Sequence, residues 1–366
     1  MKKRRSVPLI VLACINILFL TRCAQDAPYK ILGTTTPEPL NDGWIIASPE
    51  EVGLSPAVLD RIHIDLASED QYYNAKSFLI VKDGKLVFEY YVRSMEDRDH
   101  YGSIQSVTKS ITSLLFGIVL SEGDIDSLDQ KLYDVCPDKF PSDTRKQDIT
   151  LRHLLTMTSG LTFDNDVFSV ETYVHQPRDP IRNILEKPLY AAPGDEFYYR
   201  DCDPHLISYA IQRLTGRTLE QLGLEYLFGP LGITDYYWES DHKGVTMGAV
   251  GLHLKPRDMA KIGQLVLDGG KWHGESLVDS TWLALSTGKQ VKIGEYRGSY
   301  GRSYGFYWWV LPDWQAFTAS GHGGNFILVV PSSRMLVVMT SLSDTDDDIV
   351  GTRLDMFEDL IQGLLE

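Results

Sequence analysis

The sequence predicts an α+β protein. We expect an antiparallel sheet built from both chain ends, flanked by helices and carrying an α-rich inserted lobe. Three observations lead to this prediction: a β-hairpin pattern near the beginning of the body, a second one near its end, and a middle stretch whose apolar residues recur at helical spacing. A cleft between the sheet and the lobe is the expected place for a functional site.

Turn residues between β-rich runs indicate the two hairpins. The first occupies residues 77–91 and turns at Asp83-Gly84, a dipeptide that favours a two-residue hairpin loop. The second occupies residues 326–340 and turns at Pro331-Ser-Ser-Arg334. Because these hairpins lie at opposite ends of the body, a single sheet must bring the two ends together.

Helices are predicted between the hairpins, where glycines stand at the expected helix exits. The predicted helices cover residues 109–122, 150–156, 205–215 and 219–228, and the glycines are Gly123, Gly160, Gly216 and Gly229. A closing helix is predicted over residues 349–365. It follows the acidic group Asp344, Asp346, Asp347 and Asp348, which we interpret as a helix start because the glycine turn and distal glutamate of a calcium loop are missing.

Composition and charge exclude several classes of protein. The chain has 366 residues, 43% of them hydrophobic and 23% charged, which is typical of a globular protein and disfavours disorder and collagen. The sequence contains no internal repeat of the kind that repeat arrays require. The net charge of −15 disfavours binding to nucleic acid. No pair of cysteines has metal or redox spacing, and the sequence leaves open whether Cys136 and Cys202 form a disulfide.

The N-terminal residues resemble an export signal. Lys2, Lys3, Arg4 and Arg5 precede an apolar run over residues 7–20 that is shorter than a bilayer requires. Cys23 ends a segment similar to a bacterial lipoprotein processing site, although Arg22 replaces the usual small residue. We therefore expect a leader over 1–23, an exported linker over 24–43, and a periplasmic or lipid-anchored body over 44–366. Within the body, the α/β part covers about 44–105 and 245–366, and the helical lobe about 106–244.

Ser106 and Lys109 are the first candidates for chemistry. They begin a strongly apolar helix, where positions i and i+3 share a face, so the amine can lie beside the hydroxyl. An amine that loses its proton through burial can accept the serine proton during nucleophilic attack. Ser240 with Lys243 and Ser286 with Lys289 have the same spacing, but they lie in polar surroundings.

Two further segments carry candidate residues. Tyr198 and Tyr199 lie in a loop before a predicted helix, where a phenol near a cation can move a proton, and packing is the alternative interpretation. The segment 321–325, Gly-His-Gly-Gly-Asn, can bring backbone close to a ligand or simply make a tight turn. The aromatic cluster of residues 304–309 is interpreted as core with some rings near the cleft.

In this order and spacing, Ser106-x-x-Lys109, Phe197-x-Tyr199 and His322-Gly323-Gly324 resemble the active-site elements of the class C β-lactamase-like serine hydrolases. This superfamily includes penicillin-binding D-peptidases, esterases and oligoamide hydrolases. The resemblance extends from Trp44 to the end of the chain and implies a β-lactamase/transpeptidase-like fold.

The resemblance also implies roles for individual residues. Ser106 would be the acylated nucleophile, Lys109 its partner, Tyr199 a catalytic tyrosine and His322 the start of the third element. The backbone N–H groups of Ser106 and Asn325 would form the oxyanion hole. Substrate-binding positions would be Asp201 or Asp203, where the family has asparagine, together with Gly323, Gly324 and Asn325. No metal or cofactor is implied.

These residues predict an exported serine hydrolase that acts on a small ester, amide or D-amino-acid peptide through an acyl-enzyme on Ser106. Because His322 replaces the lysine of true β-lactamases, we expect weak or no β-lactamase activity. The alternative is a non-catalytic module that binds peptide or cell-wall fragments, which the altered third element and Asp201 would permit. An α/β-hydrolase would need G-x-S-x-G, and a metallohydrolase H-E-x-x-H; neither pattern occurs. The oligomeric state is left open.

Overall fold

A computed structural model describes residues 34–67, 72, 74–163, 165, 174, 176–293, 303–342 and 357–364. The predicted leader, most of the predicted linker, the acidic group 344–348 and the first part of the predicted closing helix lie outside the described residues. Residues 357–364 are helical, in agreement with the second part of that prediction. Within the described ranges, no helix combines the length and apolar character needed to cross a bilayer.

The main sheet joins the two ends of the body, which confirms the predicted fold class. Its strands run in the order β1-β3-β2-β14-β13-β12-β11-β10-β9. The central pairing is antiparallel between β2 and β14, with Phe78 opposite Met339. The strands are β1 (Ile45–Ile46), β2 (Ala75–Lys82), β3 (Lys85–Tyr91), β9 (Val291–Lys292), β10 (Ser303–Tyr304), β11 (Trp309–Leu311), β12 (Ala316–Gly321), β13 (Asn325–Val330) and β14 (Met335–Ser341).

Both predicted hairpins are present, and the backbone conformation of each turn explains why the chain reverses there. Asp83 and Gly84 have φ values of 52° and 76°, so the left-handed turn matches the twist of β2 and β3. The loop between β13 and β14 ends at Arg334, whose φ is 48°. One pairing departs from the antiparallel prediction, because the short edge strand β1 lies parallel to β3.

Two smaller sheets were not predicted from the sequence, because their strands are only two or three residues long. One has the order β4-β6-β5 and the other pairs β7 with β8. Their bounds are β4 (Gly102–Ser103), β5 (Tyr237–Trp238), β6 (Leu252–Leu254), β7 (Lys271–Trp272) and β8 (Glu275–Ser276). The first of these sheets matters for the site, because β4 leads the chain into Ser106.

The four helices predicted between the hairpins are present to within a few residues of their predicted bounds, whereas the other helices of the described residues, apart from the closing one, were not predicted. The predicted helix at 205 begins earlier, at Cys202, and the one predicted over 219–228 ends at Gly223 and continues as a π-helical turn over Leu224–Phe228. The bounds are α1 (Pro56–Ala67), α2 (Val107–Glu122), α3 (Leu132–Val135), α4 (Leu151–Leu155), α5 (Pro180–Glu186), α6 (Cys202–Thr215), α7 (Leu219–Gly223), α8 (Pro256–Leu267) and α9 (Ser280–Thr287). Residues 357–364 form α10.

Helix α2 is the buried centre of the molecule. All its residues from Val107 to Val119 are buried, and it packs against β12, β13 and α6. Helix α8 covers β2, β13 and β14 instead, with Gly263 so close to Ile327 that an added Cβ would lie 2.9 Å from its Cγ2 atom. The packing of α2 against β12 and β13 holds the start of α2 beside the end of β12, where the candidate site residues meet.

Candidate active site

Ser106 lies at the N-terminal boundary of α2, and the residue before it is strained. Gln105 has a φ of 52°, a left-handed conformation that a side chain other than glycine rarely adopts. The strained backbone is held because the Thr108 hydroxyl donates a 2.7 Å hydrogen bond to the carbonyl oxygen of Gln105. The Ser106 side chain does not cap the helix, so its hydroxyl is left to other contacts.

Lys109 directs its amine at that hydroxyl from one helical turn further along. Its Nζ atom donates a 2.6 Å hydrogen bond to Ser106 Oγ and a 3.1 Å hydrogen bond to the carbonyl oxygen of Ala249. The Lys109 side chain is only 1% exposed, and Asp201 Oδ1 lies 2.7 Å from Nζ as an ion-pair partner. The centroid of the Tyr199 ring is 4.9 Å from the same nitrogen. Three separate parts of the chain therefore meet at one amine.

Opposing influences act on the ionisation of Lys109. Burial works to lower the pKa of Lys109, as the sequence analysis expects, but the Asp201 carboxylate and the Tyr199 phenol act through charge and hydrogen bonding to raise it, and the net pKa is raised. The surroundings of Lys109 therefore favour the ammonium form, from which Nζ donates to Ser106.

Tyr199 is supported by the aromatic cluster that the sequence placed near the cleft. Its ring stacks on Trp309, with centroids 5.3 Å apart, and meets Tyr304 edge-on at 6.2 Å. Both partners are buried. These contacts fix the Tyr199 ring beside Lys109, so the cluster serves as the support of the tyrosine as well as core.

Asp201 and Asp203 have different surroundings, although only one residue separates them. Asp201 reaches Lys109, whereas Asp203 is fully buried and accepts a 2.7 Å hydrogen bond from the Ser159 hydroxyl. Burial raises the pKa of Asp203 to about 6, and Arg200, at 3.8 Å, opposes that rise. Of the two aspartates that the sequence offered for the substrate-binding position, Asp201 is the one beside Lys109, and Asp203 is part of the interior.

The turn 321–325 lies against the chain segment that leads into Ser106. A Cβ added to Gly321 would be 2.4 Å from the carbonyl oxygen of Ile104 and 3.2 Å from Gln105 Cβ. Only glycine fits there, and a larger residue would push the end of β12 away from the site. The third sequence element is thus adjacent to the first.

Backbone and side-chain hydrogen bonds hold this turn in place. Gly323 and Gly324 have φ values of 81° and 99°, and their carbonyl oxygens accept hydrogen bonds from the side chains of Asn74 and Ser341. The Asn325 side chain donates to the carbonyl oxygen of His322 and is buried. The imidazole of His322 is partly exposed. The oxyanion role of the Asn325 N–H group stays a prediction.

The two other Ser-x-x-Lys patterns do not form comparable pairs. Lys243 and Lys289 are exposed, and the Ser286 hydroxyl donates to the carbonyl oxygen of Leu283. The burial of the helix after Ser106, which the sequence did predict, is what distinguishes its lysine. Sequence reasoning missed the carbonyl oxygen of Ala249 and the side chain of Asn74, because neither a backbone acceptor nor a lone asparagine gives a pattern signal.

The structure also answers the cysteine question. Cys136 and Cys202 are both free and buried, and burial raises the pKa of each thiol. Among the described residues, no group of three or more His, Cys, Asp or Glu side chains is arranged to hold a metal ion.

A sheet joined from both chain ends, with a half-buried serine and a buried lysine at the start of the helix packed against it, defines the β-lactamase/transpeptidase-like class of protein. The family model named Beta-lactamase matches residues 76–357. The chain therefore belongs to the beta-lactamase family, whose members are serine hydrolases.

Individual relatives are distant. The 6-aminohexanoate-dimer hydrolase of Paenarthrobacter ureafaciens is 24% identical over 296 residues, which is 74% of this chain and 73% of that protein. The structure of EstCE1, a hydrolase with promiscuous acyltransferase activity, has a TM-score of 0.69 at 17% identity and covers 83% of this chain and 98% of its own. A penicillin-binding protein homologue from Caulobacter crescentus has a TM-score of 0.64 at 17% identity, covering 79% and 92%. The two structures show the shared fold.

Proposed function

We propose that this protein is an exported serine hydrolase that cleaves a small ester, amide or D-amino-acid peptide through an acyl-enzyme on Ser106, with little or no turnover of β-lactams. The observation that carries the proposal is the 2.6 Å hydrogen bond between Lys109 Nζ and Ser106 Oγ at the buried start of α2. A serine held by a buried cation, beside a phenol, is the arrangement that acyl transfer requires.

The first chemical step is attack of Ser106 Oγ on the substrate carbonyl carbon. The serine must lose its proton as the new C–O bond forms, and the ammonium of Lys109 has no free acceptor site. The centroid of the Tyr199 ring lies 4.9 Å from Lys109 Nζ, and charge and a hydrogen bond link the two side chains. We assign Tyr199 as the acceptor of the serine proton.

The proton then leaves with the product. The carbonyl electrons return, the bond to the leaving alcohol or amine breaks, and Tyr199 gives its proton to the leaving group. Water attacks the acyl-enzyme next and passes a proton to Tyr199. The bond between the acyl carbon and Ser106 Oγ then breaks, the acid is released, and Tyr199 returns the proton to Ser106. Backbone N–H groups at Ser106 and Asn325 are the proposed donors to the oxyanion.

Two substitutions argue for a substrate without a carboxylate near the reacting bond. The His322 side chain is shorter than the lysine side chain of true β-lactamases at this position. Asp201 places a negative charge 2.7 Å from Lys109 Nζ, so the local positive charge is compensated. An uncharged ester or amide avoids the resulting repulsion. The names of the relatives, which include a hydrolase of an amide dimer and a hydrolase with acyltransferase activity, are consistent with such substrates.

Export is proposed from the charged start and short apolar run of residues 1–20, and lipid attachment from Cys23. The full chain should be expressed in bacteria with an alkyne fatty acid, then fractionated. We expect labelled protein in the membrane fraction and no label in Cys23→Ser. Unprocessed protein in the cytoplasmic fraction would contradict export.

The catalytic proposal is tested by turnover and active-site labelling of the purified protein. A panel of p-nitrophenyl esters, simple amides, D-Ala-D-Ala peptides and a chromogenic cephalosporin should show turnover of at least one ester or amide and little of the cephalosporin. Ser106→Ala should abolish turnover and fluorophosphonate labelling. Ser240→Ala, which alters another Ser-x-x-Lys pattern, is the matched control and should keep both.

The non-catalytic alternative makes the opposite prediction. A binding module would show no adduct with any acylating probe and no turnover, while peptide or cell-wall fragments would bind equally well to the wild type and to Ser106→Ala.

A further inference from the structure

Asp201 does not make the contact that its position in the fold favours. It stands at the N-terminal boundary of the 14-residue helix α6, where an aspartate usually accepts hydrogen bonds from the first helical N–H groups. Its side chain accepts none of them. The carboxylate is turned to Lys109 instead, with Oδ1 2.7 Å from Nζ.

The pairing is isolated from bulk water. The side chain of Lys109 is 1% exposed and that of Asp201 15% exposed, so solvent screens their attraction only weakly. An asparagine at this position could offer a carbonyl oxygen to the lysine, but it would bring no charge.

The other groups near Lys109 do not replace this charge. Tyr199 and Asp201 are the titratable side chains that act on its ionisation. Other titratable groups of the surrounding elements have different partners: Asp203 contacts Ser159 and Arg200, Tyr304 packs on the ring of Tyr199, the Tyr307 hydroxyl donates to the carbonyl oxygen of Leu154, and His322 is partly exposed in its turn.

We propose that Asp201 is a positioning residue that keeps Lys109 in its ammonium form beside Ser106, so that the serine proton leaves towards Tyr199 and acylation persists to alkaline pH. The inference rests on the proposed function, because it concerns how the same site is controlled. Asp201 itself exchanges no proton in the step. During attack, the Ser106 proton passes to the Tyr199 oxygen, the Oγ–carbon bond forms, and Lys109 keeps its three protons.

The test is the pH dependence of acylation in Asp201→Asn. The second-order rate of fluorophosphonate labelling should be followed by intact mass from pH 6 to 10.5 in the wild type and the variant. Removing the carboxylate lets burial lower the pKa of Lys109, so the alkaline fall in rate should move to lower pH by about one to three pH units.

Controls separate the charge from the shape of the side chain. Asp201→Glu keeps the charge and should retain the wild-type alkaline limb. Asp148→Asn makes the same chemical change in an exposed ion pair with Lys131 and should leave the profile unchanged. Should Asp201→Asn fail to fold by circular dichroism, Asp201→Ser supplies a second neutral side chain at this position.

Each outcome bears on one proposal. An alkaline limb that stays in place in the neutral variants, or a rate that rises with pH through the lysine titration, would overturn the inference while leaving Ser106 acylation intact. Absence of labelling at Ser106 in the wild type would instead refute the proposed function.

Discussion

The Arg200 guanidinium donates a 2.5 Å hydrogen bond to the carbonyl oxygen of Leu161. Arg200 lies between Tyr199 and Asp201 in sequence and is fully buried. It also donates to the carbonyl oxygen of Tyr198 at 2.8 Å. The segment that carries Tyr199 and Asp201 is therefore anchored to the interior by Arg200, and both of these residues lie beside Lys109.

Replacing Asp203 with asparagine should change how stability depends on pH. Burial raises the pKa of Asp203 to about 6, so the folded protein holds a proton that the unfolded chain releases near pH 4. Stability should therefore fall as pH rises from 4 to 6 and level off above, by about 3 kcal/mol from this group. Urea unfolding at pH 4 and 7 should show this loss in the wild type relative to Asp203→Asn. An equal pH dependence of the two proteins would contradict the assignment.

Lys109→Met should fold but lose acylation. Methionine keeps most of the buried volume and removes the cation that donates to Ser106 and lies beside the Tyr199 ring. We expect the rate of ester acylation to fall by about 10²- to 10⁴-fold, with near-native circular dichroism. Retention of wild-type acylation by a folded variant would remove the lysine from the mechanism.

Tyr199→Phe should separate the phenol from the packing of its ring. The phenylalanine ring can still stack on Trp309, so the melting temperature should change little. Loss of the hydroxyl should reduce kcat/KM by about 10²- to 10⁴-fold, because the proton acceptor is gone. Tyr198→Phe is the matched control. The Tyr198 ring packs near Arg200, and the kcat/KM of this variant should stay near that of the wild type. Equal activity of the two variants would exclude Tyr199 as the proton acceptor.

Gly321→Ala should disturb the site without adding or removing a functional group. The new methyl carbon would meet the carbonyl oxygen of Ile104 at 2.4 Å, so the end of β12 must move relative to Ser106. A displacement of this size is expected to cost about 10²-fold in kcat/KM. Gly363→Ala in α10, whose added carbon would lie 3.4 Å from Val58, should leave kcat/KM unchanged. Wild-type kcat/KM in Gly321→Ala would show that this close approach does not position the site.

Local chemistry explains why much of the fold was predictable. The turn at Asp83-Gly84 requires left-handed backbone, which these residue types favour, and the pairing of β2 with β14 follows from two hairpins that must share a core. The proximity of Ser106 and Lys109 follows from helical spacing alone. The turn and the Ser106–Lys109 pair depend on residues close together in sequence, and the sheet pairing follows from hairpins that are themselves local.

The remaining features depend on contacts between distant parts of the chain. Whether Asp201 or Asp203 faces Lys109 is decided by where α6 begins, and α6 begins three residues earlier than its apolar pattern suggested. The ionisation of Lys109 depends on Asp201, which lies 92 positions further along the chain (201 − 109). No rule of sequence spacing links the two residues. The Ala249 carbonyl oxygen is a backbone atom, which any residue could provide.

The most direct test of the central claim is the site of the acyl group during turnover. The wild type should be mixed with an excess of a good p-nitrophenyl ester, quenched in acid within milliseconds and mapped by peptide mass spectrometry. The account predicts a stoichiometric acyl group on Ser106, with an equivalent burst of p-nitrophenol and neither signal in Ser106→Ala. An acyl group on another residue, or unchanged turnover in Ser106→Ala, would contradict it.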